Sequence, residues 1–312
     1  MGTHKELFMI KMVGIHGSVK AESGIGAGMR KHGDSYERAY LGSDAVKDAD
    51  GFMQINLLKP KFATANGDGP YEYILDSKKP FLVKESPVFR KYQQYKRLGW
   101  WSYKWTEGEF GNKNAPSDRW NQFQKDTGIV LKDWKSPGDK IIIMGQKEGD
   151  SSLVDLYNNG YRSYYTWVQE LVTEIRKYSD RDIVIRPHPR NMKGGLKGAH
   201  SIKGKNVYVS TNLTQGGNQG GEGLEADFKQ AHCVVTYNSL SAVEAIVEGI
   251  PTFAMHNGSM AWPITHKKLS KIENLDYNID RTQWCNEVAY TQWTAEEDSN
   301  GDSWAHLKPL VF

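Results

Sequence analysis

Two stretches decide the fold: Asp182-Ile-Val-Ile-Arg-Pro-His-Pro-Arg190 and His232-Cys-Val-Val-Thr-Tyr-Asn-Ser-Leu-Ser-Ala-Val-Glu-Ala-Ile-Val-Glu-Gly-Ile-Pro251. Each opens with a short apolar run rich in β-branched residues, the mark of a strand buried on both faces of a parallel sheet. The first run leads straight into a basic turn that contains His188. The second leads into Asn238, Ser239 and Ser241, and then into a helix expected over Ser241 to Glu248. Open α/β sheets bind their ligands at the carboxyl ends of such strands, nucleotides among them.

Working outward, strands are expected at Leu7–Ile15, Tyr36–Leu41, Gly51–Ile55, Pro80–Val83, Asp139–Met144, Val207–Val209 and Pro251–Ala254, with helices at Tyr71–Leu75 and Thr166–Tyr178. The alternation predicts an α/β protein of two Rossmann-like domains facing a cleft. The expected division is a first α/β domain over 1–136, a second over 137–268, and a mostly helical tail over 269–312 that packs back on the first. From Arg90 to Asp139 the regular pattern fades, and Lys193 to Gly223 reads as a mobile Gly- and Lys-rich loop.

At 312 residues, with 25% charged and 38% hydrophobic residues, the balance is that of an ordinary globular protein. A net charge of +3 neither demands nor excludes a polyanionic partner. Cys233 and Cys285 lie far apart, and Cys233 falls inside a strand run, so no disulfide framework is indicated. No apolar run approaches a membrane span, and the N-terminus lacks a signal-peptide pattern. The expectation is a soluble, cytoplasmic protein.

Several groups could carry chemistry. Pro187 and Pro189 stiffen a turn from which Arg186, His188 and Arg190 project, and guanidinium forks suit phosphate oxygens. The plainer reading is a structural turn with a surface Arg pair. Asn238, Ser239 and Ser241 stand at a helix start, where Ser241 and Glu244 fit a capping box. A helix start also offers N–H groups to a phosphate, and Glu244 could accept from ribose hydroxyls. Gln146 and Lys147 follow the strand Ile141–Met144 and could reach the same ligand. Gly17 to Gly28 reads as a glycine-rich loop followed by a short helix, capped near Gly33; its spacing fits neither the dinucleotide fingerprint nor a Walker loop. It places Glu22 as first candidate for a general base, with Asp118 second. Asp48-Ala-Asp50 and Asp180-Arg-Asp182 precede strands rather than follow them, and no Cys/His spacing supports zinc, so no metal is expected. Lys78 to Lys113 interleaves cations and aromatics. Arg90, Lys91, Lys96, Arg97 and Lys104 would suit a nucleic-acid backbone, or simply a solvated face over an aromatic cluster.

His188-Pro189 with Ser239 and Ser241 resembles the second domain of GT-B glycosyltransferases, whose capsule-polysaccharide members bind a donor nucleotide with a His-Pro motif and a later Ser motif. Asn112-Lys-Asn-Ala-Pro-Ser-Asp-Arg-Trp120, Ile185–Pro189, Val235-Thr-Tyr-Asn-Ser239, Glu248-Gly-Ile-Pro251, Leu269–Asn274 and Arg281–Trp284 look like a family of tailed-bacteriophage proteins thought to glycosylate 5-hydroxymethylcytosine in DNA. The resemblance implies a donor such as UDP-arabinose or UDP-glucose, held by Gln146, Lys147, Arg186, His188, Arg190, Asn238, Ser239, Ser241 and Glu244. It implies double-stranded DNA as partner in a host cytoplasm, and no cofactor beyond the nucleotide sugar. Two alternatives stand beside it: a capsule- or lipopolysaccharide-type transferase using a CMP-sugar, and a non-catalytic DNA-binding protein on the same scaffold.

Overall fold

The computed structural model describes residues 9–15, 23–55, 70–100, 110–188, 192–212 and 222–312. They form two compact units. One takes Met1–Pro87, Gln93–Tyr103 and Thr291–Phe312; the other takes Val88–Tyr92 and Lys104–Tyr290. This division differs from the expected one. The stretch expected to close the first domain goes with the second unit, and of the expected tail only Thr291–Phe312 goes with the first. The strands run β1 Lys11–Ile15, β2 Ser35–Ala39, β3 Gly51–Ile55, β4 Phe81–Glu85, β5 Tyr95–Trp100, β6 Lys140–Met144, β7 Ile183–Arg186, β8 Val207–Val209, β9 Ala231–Thr236, β10 Thr252–Ala254 and β11 Gln292–Thr294.

The first unit holds a sheet in the order β11-β5-β4-β3-β1-β2. Strands β2, β1, β3 and β4 are parallel, whereas β5 runs antiparallel to β4 and β11 antiparallel to β5. Val13, Ile15, Phe52, Phe81 and Val83 bury one face against Ile74 of the helix Pro70–Ser77. Such burial contributes about 1.5–3 kcal/mol for each large side chain. The described glycines of the expected loop are in fact helical. Gly24, Gly26 and Gly28 lie in the helix Ser23–Lys31, and Gly33, with φ +77°, ends it. They are there for close packing: a Cβ on Gly28 would stand 2.2 Å from Asp298 O, and one on Gly26 would stand 2.4 Å from the Tyr36 ring. Asp298 in turn forms a buried ion pair with Lys84.

The second unit holds five parallel strands in the order β10-β9-β6-β7-β8. The chain leaves β6 toward β7 and β8 on one side, then returns to β9 and β10 on the other, so the strand order reverses between β6 and β9. The runs Ile141–Ile143, Ile183–Ile185 and Cys233–Val235 are buried on both faces, as continuous apolar strands require. The helix Tyr164–Ile175 is capped by Ser163, whose Oγ accepts from Thr166 N–H at 3.2 Å. Met192–Ser201, expected as loop, is a helix, and Gly198 lets it approach the Tyr165 ring. Among the described residues no helix is long and apolar enough to cross a membrane.

Candidate functional site

The carboxyl ends of β6, β7 and β9 gather the polar groups of the second unit. Gly145 follows β6 and donates its N–H to Arg186 O at 2.7 Å; a Cβ there would lie 2.5 Å from that oxygen, so only glycine fits. Gln146 is buried and reaches across the reversal of strand order. Its Nε2 donates to Asn238 Oδ1 at 2.7 Å, and its Oε1 accepts from Asn238 N–H at 3.0 Å. Asn238 Nδ2 donates to Ser152 O at 2.7 Å, and Gln146 Nε2 also approaches Ser152 Oγ at 3.3 Å. Thr236, fully buried at the end of β9, accepts from Ser239 N–H at 3.1 Å. Ser241 then donates from both N–H and Oγ to Ser239 Oγ, at 3.3 and 2.8 Å. Gln146 with Asn238, and Ser239 with Ser241, are thus two adjacent hydrogen-bonded groups on one polar edge, half-buried beyond Gln146.

The capping box expected at Ser241 does not form. The helix Ser241–Val247 has Leu240 as N-cap, with no side-chain capping bond. The reason is local: Ser239 Oγ receives the Ser241 N–H, and Glu244 turns inward instead of back over the helix end. Burial pushes the Glu244 carboxyl up to about 7, only partly opposed by the Arg90 N–H that it accepts and by the charges of Arg90 and Arg186. A carboxyl pushed toward neutrality by burial beside two arginines is the kind of group found at functional sites.

Arg186 corrects the expectation that it grips a phosphate. It is buried, and its Nη1 donates to the Asp227 carboxylate at 2.5 Å, to Gly223 O at 2.9 Å and to Asn212 O at 3.1 Å. Asp227 is held further by Ser210 Oγ at 2.8 Å and Asn212 Nδ2 at 2.7 Å. The guanidinium therefore braces the end of β7 from within. His188 is half-buried just beyond it, Lys147 is exposed after Gln146, and Arg190 lies outside the described residues.

Of the two base candidates, Glu22 also lies outside the described residues. Asp118 is exposed in the first turn of the helix Asp118–Thr127 and accepts from Tyr290 Oη at 2.9 Å. Burial, then that carboxylate, pushes the Tyr290 hydroxyl up to about 12.

The basic-aromatic tract divides. Arg97 is buried within β5, so it cannot present its charge to a polyanion. Tyr95 and Trp100 are core residues; Trp100 packs on Trp304 and donates Nε1–H to Leu307 O at 2.7 Å. Tyr92 packs edge-on against Phe123 and donates to Thr127 O at 3.1 Å. Lys91 is exposed, Lys96 Nζ donates to Gln93 O at 3.0 Å, and Lys104 lies outside the described residues. Among the described candidate cations, Lys91 alone is exposed, above aromatics that pack inward.

Sequence reasoning missed Ser152, Asp150 and Asp227. Asp150 accepts from Ser152 N–H at 3.0 Å and so caps the turn Ser151–Leu153, a signal present in Gly149-Asp-Ser-Ser152. Asp227 left no such trace, being an ordinary acidic residue on a helix. Among the described residues no group of three or more His, Cys, Asp and Glu could hold a metal.

No protein-family model matches the chain, and no curated protein matches it. Several solved structures resemble it, two of them over nearly its whole length. One is Thermosulfurimonas dismutans KpsC, beta Kdo 2,7 transferase, 13% identical with a TM-score of 0.54, covering 96% of this chain and 99% of that one. The other is the beta Kdo 2,4 transferase of the same KpsC, 11% identical with a TM-score of 0.50, covering 90% of each chain. At such identities the likeness shows the fold, which is GT-B-like with two Rossmann-like units.

Proposed function

We propose that the chain is a glycosyltransferase that binds a nucleotide-activated sugar at the carboxyl edge of its second sheet and passes the sugar to an acceptor hydroxyl. The observation that carries this reading is the Gln146–Asn238 bridge across the reversal of strand order, with His188 and the Ser239 and Ser241 hydroxyls at neighbouring strand ends. Such a reversal is where doubly wound sheets hold nucleotides. The fold shared with two Kdo transferases supports the same reading.

Transfer breaks the bond from the anomeric carbon to the phosphate oxygen and forms one to the acceptor oxygen. The acceptor proton passes to a general base, for which Glu22 is the first candidate and Asp118 the second. The departing phosphate is stabilised by His188, Arg190, Lys147 and the serine hydroxyls, which neutralise or hydrogen-bond its developing charge. Arg186 contributes by holding the end of β7 in place.

For the finer identity, the likeness of Asn112–Trp120 and the other quoted motifs to phage proteins supports a UDP-sugar as donor and 5-hydroxymethylcytosine in double-stranded DNA as acceptor. A second reading is a CMP-sugar passed to a glycan; the Kdo transfer in the names of the two similar structures favours a sugar acceptor over DNA. Mass analysis separates them. The protein is incubated with UDP-glucose, UDP-arabinose or CMP-Kdo, and with hydroxymethylated DNA, plain DNA or a capsule-type oligosaccharide. A sugar mass on hydroxymethylated DNA alone supports the first reading, and one on the oligosaccharide supports the second. Binding to DNA with no nucleotide sugar consumed on any acceptor overturns both.

A further inference from the structure

Beside the polar edge, at the end of β10, stands a pair that the proposed chemistry does not use. His256 lies flat on Tyr237, with ring centroids 4.6 Å apart and planes 16° from parallel, and Tyr237 meets Trp167 edge-on at 5.2 Å. Main-chain bonds hold its position: His256 N–H donates to Tyr237 O at 3.1 Å, and Ser259 N–H donates to His256 O at 3.1 Å. Both ring nitrogens are engaged. Nδ1 accepts from Gly258 N–H at 3.1 Å, which places the ring proton on Nε2, and Nε2 faces Asp155 Oδ2 at 3.3 Å. Asp155 lies on the short helix Val154–Asn158, directly after the turn whose Ser152 receives Asn238 Nδ2 through its carbonyl and Gln146 Nε2 through its hydroxyl. One short segment is therefore tied at Ser152 to the end of β9 and at Asp155 to the end of β10.

We propose that Asp155 and His256 are a positioning pair for the nucleotide site: their hydrogen bond holds the segment Asp150–Asp155 so that Ser152 keeps Gln146 and Asn238 in register across the switch point. The inference rests on the reading of that edge as a nucleotide site. Neither residue touches the ligand. The His256 bond is the largest influence holding the Asp155 carboxyl below its usual range, as expected for a carboxylate that accepts it. The flat Tyr237 contact keeps the imidazole from rotating away.

The two nitrogens can be tested separately. His256→Gln retains a donor where Nε2 stood and loses the acceptor for Gly258. His256→Asn retains that acceptor and loses the donor to Asp155. Amide hydrogen exchange is read at Ser152 and Asn238, UDP and CMP affinity is read by calorimetry, and melting temperature serves as the stability control. In Asp155→Ala and His256→Asn, exchange at both amides and the nucleotide Kd should each rise about tenfold, the scale of a lost coupling within one hydrogen-bonded network. His256→Gln should stay within about threefold of the parent on that same scale. Unchanged exchange in Asp155→Ala overturns the proposal, and so does a His256→Gln variant as impaired as His256→Asn, since that pattern marks a general packing role. If the parent protein binds neither nucleotide, the proposed function fails while the exchange data still decide the positioning role.

Discussion

Gln146 and Asn238 close a ring of two hydrogen bonds, 2.7 Å and 3.0 Å long, across the point where the second sheet reverses its strand order. Each amide fixes the orientation of the other, and each is anchored again at Ser152. Their polar faces are therefore set before any ligand arrives.

Removing either amide should weaken nucleotide binding. Asn238→Ala and Gln146→Ala are each expected to cost about 1–2 kcal/mol in UDP or CMP affinity, and the double variant should fall short of additivity by at least about 0.5 kcal/mol. His188→Ala should abolish nucleotide binding with the melting temperature unchanged. Calorimetry and a thermal melt check both, and parental affinity in all three single variants would remove the edge from consideration.

Arg186 should matter for folding more than for ligand contact. Arg186→Met leaves the Asp227 carboxylate buried without its cation, which is expected to cost about 3–5 kcal/mol. The double variant Arg186→Met/Asp227→Leu should recover part of that loss. Urea unfolding reads the difference, and a midpoint unmoved by the single change would show that the pair does not brace β7.

Glu244 should make the second unit more stable in mild acid. Its folded-state pKa, about 7, lies above the ordinary glutamate value of 4.5, so between these pH values the folded chain binds more protons than the unfolded one. Stability then falls as pH rises through that window, by up to about 3 kcal/mol. Glu244→Gln should be stabilising at pH 8 and close to neutral at pH 4. Equal effects at both pH values in urea titrations would contradict the buried position of the carboxyl.

Gly28→Ala should destabilise the first unit although alanine is the better helix former. The new methyl would press on Asp298 O at 2.2 Å and on Gly301 Cα at 2.9 Å, both backbone atoms with little room to yield. The expected cost is about 1–3 kcal/mol, against a gain of up to about 1 kcal/mol in helix propensity. A raised melting temperature would show that propensity wins.

The central strands were legible because their information is local. Ile141–Met144, Ile183–Arg186 and Ala231–Thr236 are short apolar runs that suit a strand covered on both faces. Strand β5 was not legible: Lys96, Arg97 and Gly99 interrupt its pattern, and β11, one of its partners, lies nearly two hundred residues away in sequence. The helix Met192–Ser201 was hidden by its glycines, which read as loop until the Tyr165 ring against Gly198 explains one of them. The site divided the same way. Asn238, Ser239 and Gln146 follow apolar runs and were found by position, whereas the partner that turns Arg186 inward, Asp227, is an ordinary helical acid with nothing in its neighbourhood to mark it. His256 and Asp155 escaped because neither belongs to a spacing motif.

Strand β11 joins its sheet through three residues near the end of the chain, Gln292–Thr294, against β5. A nascent polypeptide can thus assemble the five described strands of the second unit once Ala254 has left the ribosome, while the first sheet, though begun earlier, waits until Thr294 has followed to cover its β5 edge. Until then that edge is an open row of hydrogen-bonding groups, the kind of surface on which chains pair with strangers.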